Sequence, residues 1–206
     1  SGPSIRDVDL KGLAARSAIL LNGAISLSGN AISEALAVAV EDERFIFRHF
    51  DMMRGLPLTV PCLLSVGAVR AICERDASFL FDRPVVLIDN VLRPYGGARR
   101  SLDEAGRIPG MVVDLELRAG CSLDPDRGVF QAGSVAVSAL QFALSCRPRT
   151  IGFFGIDISN AGTQSRFYER DQDVAFSGVA DAEEPILNHF ELARRLALAR
   201  NIAMLN

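Results

Sequence analysis

Between residues 135 and 145 the chain runs VAVSALQFALS, three turns of helix-compatible sequence without one charged side chain. A helix that is apolar nearly all round is stable in water only when other elements cover it. After the break Cys146-Arg147-Pro148-Arg149 comes TIGFFGI at 150–156, apolar at successive rather than alternate positions. A strand without a polar face needs cover on both sides, the condition of parallel strands lying between helix layers. A buried helix feeding such a strand points to a layered α/β architecture. The strand ends in Gly155-Ile156-Asp157, and a polar loop with Arg166-Phe167-Tyr168 follows. In open α/β sheets ligands bind outside the carboxyl ends of the strands, so Asp157 and that loop fall at a candidate site.

The rest of the chain repeats the alternation. SAILL at 17–21, bounded by Asn22-Gly23, reads as a buried strand, and PVVLID at 84–89 as another. Residues 31–43 have helical composition, and RFIFRHF at 44–50 reads as a strand on its aromatic and β-branched side chains. Residues 7–13 read as a short helix or turn, 66–81 as a helix, and 185–200 as the last helix, with NIAML at 201–205 as a final strand. Residues 91–110, rich in Gly, Arg and Pro, read as a long surface loop. Residues 159–184 are polar and too long for a simple connector, which predicts a lid. Together these segments predict a doubly wound, mostly parallel Rossmann-like sheet in one domain spanning 1–206. In a nucleotide-binding α/β unit a turn like Ser1-Gly2-Pro3-Ser4 follows a first strand. The expectation is therefore a clipped start or an upstream strand left out.

Hydrophobic residues make up 49% of the chain, which argues against disorder. The formal net charge of -3 argues against non-specific nucleic-acid binding as its main work, and no nucleic-acid partner is expected. Arg93, Arg99, Arg100 and Arg107 cluster around Pro94-Tyr95-Gly96-Gly97, a basic patch that a solvated loop also explains. Cys62, Cys73, Cys121 and Cys146 form no CxxC pair and have no His at ligand spacing, so isolated buried thiols in a reducing compartment are expected. No apolar run approaches the ~20 residues of a membrane span, and no signal-peptide pattern is present. A cytoplasmic location follows as the expectation, with room for peripheral contact on the inner face of a membrane.

Residues 120–168 carry a family resemblance. Gly120, Ser122, Asp124 and Gly128 form a G-x-S-x-D-x-x-x-G pattern, and a small, hydroxyl-rich helix with a central Gln141 follows. Then come the Gly155-Ile156-Asp157 strand end and Arg166-Phe167-Tyr168. This order resembles the lipopolysaccharide core-biosynthesis proteins assigned as transferases of a third Kdo residue (3-deoxy-manno-octulosonic acid). Ser1-Gly2-Pro3 and Leu21-Asn22-Gly23 match upstream elements of that family, whereas residues 52–118 match only loosely. More distantly the chain is similar to the bacterial lipooligosaccharide sialyltransferases that use CMP-sialic acid. That likeness rests on Gly2-Pro3-Ser4, Asn22, Ala132-Gly133-Ser134 and Gly155-Ile156-Asp157. The resemblance implies a glycosyltransferase moving a 2-keto-3-deoxy sugar acid, Kdo or sialic-acid-like, from its CMP ester to a lipopolysaccharide or other glycan acceptor. It implies no cofactor beyond the CMP-sugar donor, and it leaves an oligomer open.

Such a transfer needs a cradle for cytidine and phosphate, help for the leaving phosphate, and a base for the acceptor hydroxyl. Ser1, Gly2, Pro3 and Ser4 suit the cradle, because glycine lets a backbone approach an anion to which amides and a hydroxyl donate. An ordinary N-cap turn uses the same letters. Asn22 offers both donor and acceptor, although Asn-Gly is also plain turn chemistry. Gly133 and Ser134, opening a helix, suit a carboxylate or phosphate. Asp157 suits a sugar hydroxyl or the cytosine amine, or else a loop cap. In the resembling sialyltransferases lid tyrosines bond the departing phosphate, which implies that role for Tyr168. Ser159 stands where a second lid tyrosine is expected, and Arg166 is the residue to supply the missing stabilisation.

The base has three rival candidates, His189, His49 and Asp51. No Asp-x-Asp pair follows a strand. Asp124-Pro125-Asp126 has the letters but lies in a Gly-bounded loop, so metal-independent transfer without metal ligands is expected. Two other classes stay open: a metal-dependent pyrophosphokinase-like enzyme on a related fold, and a non-catalytic nucleotide-sugar-binding protein. A dinucleotide-dependent oxidoreductase is disfavoured, because no G-x-G-x-x-G follows a strand.

Overall fold

The computed structural model describes residues 2, 4–5, 8–156 and 182–205. Four short strands, β1 (Ile19–Leu21), β2 (Ala37–Val40), β3 (Cys62–Leu64) and β4 (Val85–Leu87), form a parallel sheet in that order. Their register pairs Leu20 with Val38, Ala39 with Leu63, and Leu63 with Val86. Helix α1 (Glu43–Arg54) follows β2, and α2 (Val66–Asp76) follows β3. A short helix α3 (Leu102–Gly106) leads to an antiparallel hairpin of β5 (Met111–Asp114) and β6 (Ala119–Ser122). Helix α4 (Val135–Ser145) then precedes β7 (Thr150–Gly152), and α5 (Glu183–Leu198) precedes β8 (Ala203–Leu205). β7 and β8 pair in parallel as a sheet of their own. The protein is thus mixed α/β, with a parallel four-stranded sheet.

Alternation along the strands sends side chains to two cores. Val38, Val40, Cys62 and Leu64 pack with Phe45, Ile46 and Phe50 of α1 and with Ala68, Ala71 and Ile72 of α2. Ala37, Ala39, Leu63 and Ile88 pack with Val135, Ala139 and Phe142 of α4 on the other face. β2 is fully buried at every position because both faces are covered. Among the described residues no helix is long and apolar enough to cross a membrane.

Several expectations hold closely: β1, β4 and β8 lie within the expected strand segments, and α4 has the expected bounds; β4, however, is not the buried strand expected, because it ends the sheet with Val85 and Leu87 exposed. Two adjacent ones are reversed. The segment 31–43 contains the strand β2, because Ala37-Val38-Ala39-Val40 is buried on both faces and leaves no polar side for a surface helix. The segment 44–50 belongs to α1. Asp42 caps that helix by accepting from the Arg44 amide at 2.9 Å, and Phe45, Ile46, Phe50 and Met53 form its buried stripe.

The strand expected over 150–156 is only the three-residue β7, whose Thr150 and Gly152 are exposed; among the described residues it pairs with β8 alone. The 91–110 loop contains α3, started by a reciprocal Ser101–Glu104 capping box. β3, β5 and β6 were not foreseen. Of the expected lid, 159–181 lies outside the described residues, while Glu183 and Glu184 already form the first turn of α5. Cys62 and Cys121 are the buried thiols anticipated, but Cys73 and Cys146 are exposed; all four are free.

Candidate functional site

Because β1 to β4 run in parallel, their carboxyl ends share one edge of the sheet, where α1 and α2 begin. There Glu41, Ser65, Asp89, Asn90, Arg93 and Gln131 line a shallow cleft of about 460 Å³. Glu41 is the residue immediately after β2, with its carboxylate backed against α4, where the fully buried Ser138 hydroxyl donates to Oε1. Burial pushes the Glu41 carboxyl up to about 7, and the Ser138 bond only partly offsets it. The adjoining turn is held by Ser65, whose hydroxyl donates to the Glu41 carbonyl at 2.6 Å and caps α2 by accepting from the Ala68 amide at 3.0 Å.

The other carboxylates of the cleft already have work. Asp42 binds Arg44, Glu43 binds Arg70 at 2.5 Å, and Asp89 accepts from the Asn90 and Tyr95 amides at 2.9 and 3.0 Å. Gln131, four residues before the start of α4, donates to the Ile88 carbonyl at 3.2 Å. Among the described residues no group of three or more His, Cys, Asp or Glu is placed to hold a metal ion.

The expected site residues distribute as follows. Asn22 directly follows β1 in the left-handed region (φ 47°), and its Oδ1 is buried with no hydrogen-bond partner among the described residues. An orphaned buried acceptor is uncommon in native proteins and calls for a reason, of which a ligand is one. Ser134 is the N-cap of α4, accepting from the Ala136 amide at 3.3 Å, and Gly133 lies against Ala182 just ahead of α5. The Gly2 amide donates to the Gly155 carbonyl at 2.7 Å. Gly155 has φ 64°, and a Cβ there would come within 2.9 Å of Ile5 Cβ, so glycine is required where these two turns meet. Ser4 lies exposed in the turn beside them. Ser1, Pro3, Asp157, Ser159, Arg166 and Tyr168 lie outside the described residues.

The three rival bases are not brought to the cleft that Glu41 lines. His49 and Asp51 lie six and eight residues into α1, His49 at a kink in that helix (φ -130°, ψ 31°), and neither lines the cleft. His49 leans on the Phe45 ring, centroids 5.2 Å apart. His189 is buried within α5 beside Phe130, with Nδ1 donating to the Pro185 carbonyl at 2.7 Å. Burial disfavours the charged imidazolium and lowers its pKa against the opposing pull of the Pro185 bond.

Glu41 was missed, although AVAVEDE carries a signal for it: a carboxylate directly after a fully apolar run. Reading that run as helix hid the strand end.

The G-x-S-x-D-x-x-x-G stretch proves to be framework behind the cleft. A Cβ at Gly120 would stand 2.3 Å from the Phe130 ring, so only glycine lets β6 approach it. Gln141, fully enclosed in α4, accepts from the Ser122 and Phe130 amides at 2.8 and 2.9 Å. It donates to the Phe130 and Val137 carbonyls at 2.8 and 2.9 Å. That side chain has no capacity left for a ligand. Compared with protein-family models, with curated proteins and with solved structures, the chain matches none.

Proposed function

We propose that this chain is a glycosyltransferase that moves a 2-keto-3-deoxy sugar acid, Kdo or a sialic-acid-like sugar, from its CMP ester to a glycan acceptor. The lipopolysaccharide core is the acceptor class implied by the resemblance. The observation that carries this reading is Glu41, a carboxyl poised near neutral pH in a cleft at the strand ends. The parallel sheet with helices on both faces suits a doubly wound nucleotide-binding architecture, in which that edge is the ligand side.

In the reaction the acceptor hydroxyl oxygen attacks the anomeric carbon of the sugar acid. The bond from that carbon to the phosphate oxygen breaks, CMP leaves with the electron pair, and the hydroxyl proton passes to a base. We assign that proton to Glu41 in preference to His189, His49 or Asp51. A carboxyl near 7 is largely ionised at slightly alkaline pH yet basic enough to take a proton. Gly2, Ser4 and the unpaired Oδ1 of Asn22 face the nucleotide, with Ser134 and the start of α4 near the donor's anionic groups. Arg93, on the cleft rim, is a further guanidinium for phosphate or sugar carboxylate. Arg166 and Tyr168 act on the departing phosphate, and no divalent cation is needed. The work takes place on the cytoplasmic side, at the inner face of the membrane where lipid-linked acceptors lie.

The test combines ligand-dependent melting with CMP-sugar turnover in EDTA. CMP should stabilise the protein in preference to UDP, GDP or ADP. Glu41→Gln should lower turnover by roughly 10²–10⁴-fold with CMP binding retained. An unchanged rate in Glu41→Gln overturns the base assignment, and preferential stabilisation by UDP or ADP overturns the donor. CMP binding without any turnover of a CMP-sugar would favour a non-catalytic binding protein.

A further inference from the structure

Among the described residues the two parallel sheets each end on an open edge, and an apolar slot of about 220 Å³ lies between those edges. β1 contributes Ile19–Leu21 to one wall and β7 contributes Thr150–Gly152 to the other. α4 closes one face with the small side chains Ala136, Ala139 and Ala143, while Leu10, Leu13 and Ala24 close the opposite face. Strand edges carry rows of backbone donors and acceptors, and among the described residues no strand pairs with these two. The complementary occupant is another strand.

The chain itself shows where that strand ends. The Gly2 amide bonds to the Gly155 carbonyl just past the carboxyl end of β7, at the mouth of the slot. From Gly2 the chain runs over the slot through Ile5, Leu10 and Leu13, all of which line it, before entering β1 at Ile19. A connection of this length, from the end of one strand to the start of the next, is what parallel neighbours require.

We propose that the slot holds a parallel β-strand leading directly into Gly2, supplied by chain on the amino side of Ser1. With it in place β4, β3, β2, β1, the added strand, β7 and β8 form one continuous parallel sheet. The added strand is four to six residues of mainly β-branched apolar character, because α4 and the 10–24 segment cover both its faces. Gly2 then stands at the point where the connections diverge, toward β1 on one side and β7 on the other, the position at which open α/β sheets bind ligands. The proposal rests on the two open edges and on the place of Gly2 at the mouth of the slot, and does not depend on the nucleotide reading.

The test extends the 206-residue chain at its amino end by five alternating Val and Ile residues, against a five-residue Gly-Ser-Asp control. The apolar extension should raise Tm by at least about 4 °C over the control. It should also slow amide exchange of 19–21 and 150–152 by about tenfold or more, with a monomer by sedimentation. Ala143→Phe, which fills the slot from α4, should cancel that gain. The same Val-Ile peptide ending in Ser-Gly, added in trans, should protect the same amides should the fused chain be insoluble. Unchanged exchange at both edges with the fused and the free peptide overturns the proposal. So does a dimer of the unextended chain that protects the two edges, which would make a second copy the occupant.

Discussion

The raised carboxyl of Glu41 makes the stability of this protein depend on pH in a defined direction. The group moves from an ordinary value of 4.5 to about 7 on folding, because burial against α4 penalises the charge more than the Ser138 hydroxyl relieves it. A carboxyl whose folded pKa is raised binds its proton more tightly in the folded state. Its contribution to stability is therefore complete below about pH 4.5 and is lost as pH rises through about 7. The interval corresponds to about 3 kcal/mol, a sizeable part of the 5–15 kcal/mol of an ordinary domain. Glu41→Gln keeps the shape and a hydrogen-bonding amide but removes the titration.

Urea unfolding of both proteins between pH 5 and 8 isolates the effect, since the other groups titrate in both. The variant should gain on the parent by about 2.5 kcal/mol across that range, or roughly 5–10 °C in Tm. Ser138→Ala, which removes the bond that favours the carboxylate, should move the transition to still higher pH. A parent-minus-variant difference that is flat from pH 5 to 8 would refute the desolvation argument and, with it, the choice of Glu41 as base.

Two further outcomes follow from the same geometry and the proposed chemistry. Gln141→Leu removes the partner of two buried amides and of the Phe130 carbonyl. It should cost about 2–5 kcal/mol by urea unfolding, because each orphaned buried group costs about 1–3 kcal/mol and the added leucine returns part of that. A loss below 1 kcal/mol would mean that water replaces the amide. Tyr168→Phe should lower turnover by about 10²-fold or less while leaving CMP affinity intact, as expected of a phenol that acts mainly when charge builds on the leaving phosphate. Equal rates for the two proteins, measured where chemistry is limiting, would remove Tyr168 from the mechanism.

How much of this was legible in the sequence depended on whether a segment's pattern had one physical solution. VAVSALQFALS has no charged side and can only be a buried helix, so α4 was read with its bounds. PVVLID and SAILL, short apolar runs closed by turn residues, could only be strands, but their place in the sheet was not legible: β4 ends it, with Val85 and Leu87 exposed. AVAV and RFIFRHF each admit two solutions. Alanine favours helix and valine favours strand, so four residues of AVAV do not decide; two helix layers closing over β2 do. RFIFRHF has the aromatic content of a strand, yet the Asp42 cap and a core on one side only select the helical stripe Phe45, Ile46, Phe50 and Met53.

The candidate site divides in the same way. Small turns at Gly2, Asn22, Gly133 and Gly155 are readable locally, since their backbone demands are local. The character of Glu41 is not. Its proton affinity is set first by burial against α4 and then, in the opposite sense, by Ser138, which lies 97 residues away along the chain and meets it only because α4 folds across the sheet. Sequence by itself determined which segments are apolar and where turns interrupt them. Tertiary structure decided which of those segments bury one face and which bury two, and so which carboxylate is drawn out of water, because desolvation belongs to the packed neighbourhood of a group and not to its neighbours along the chain.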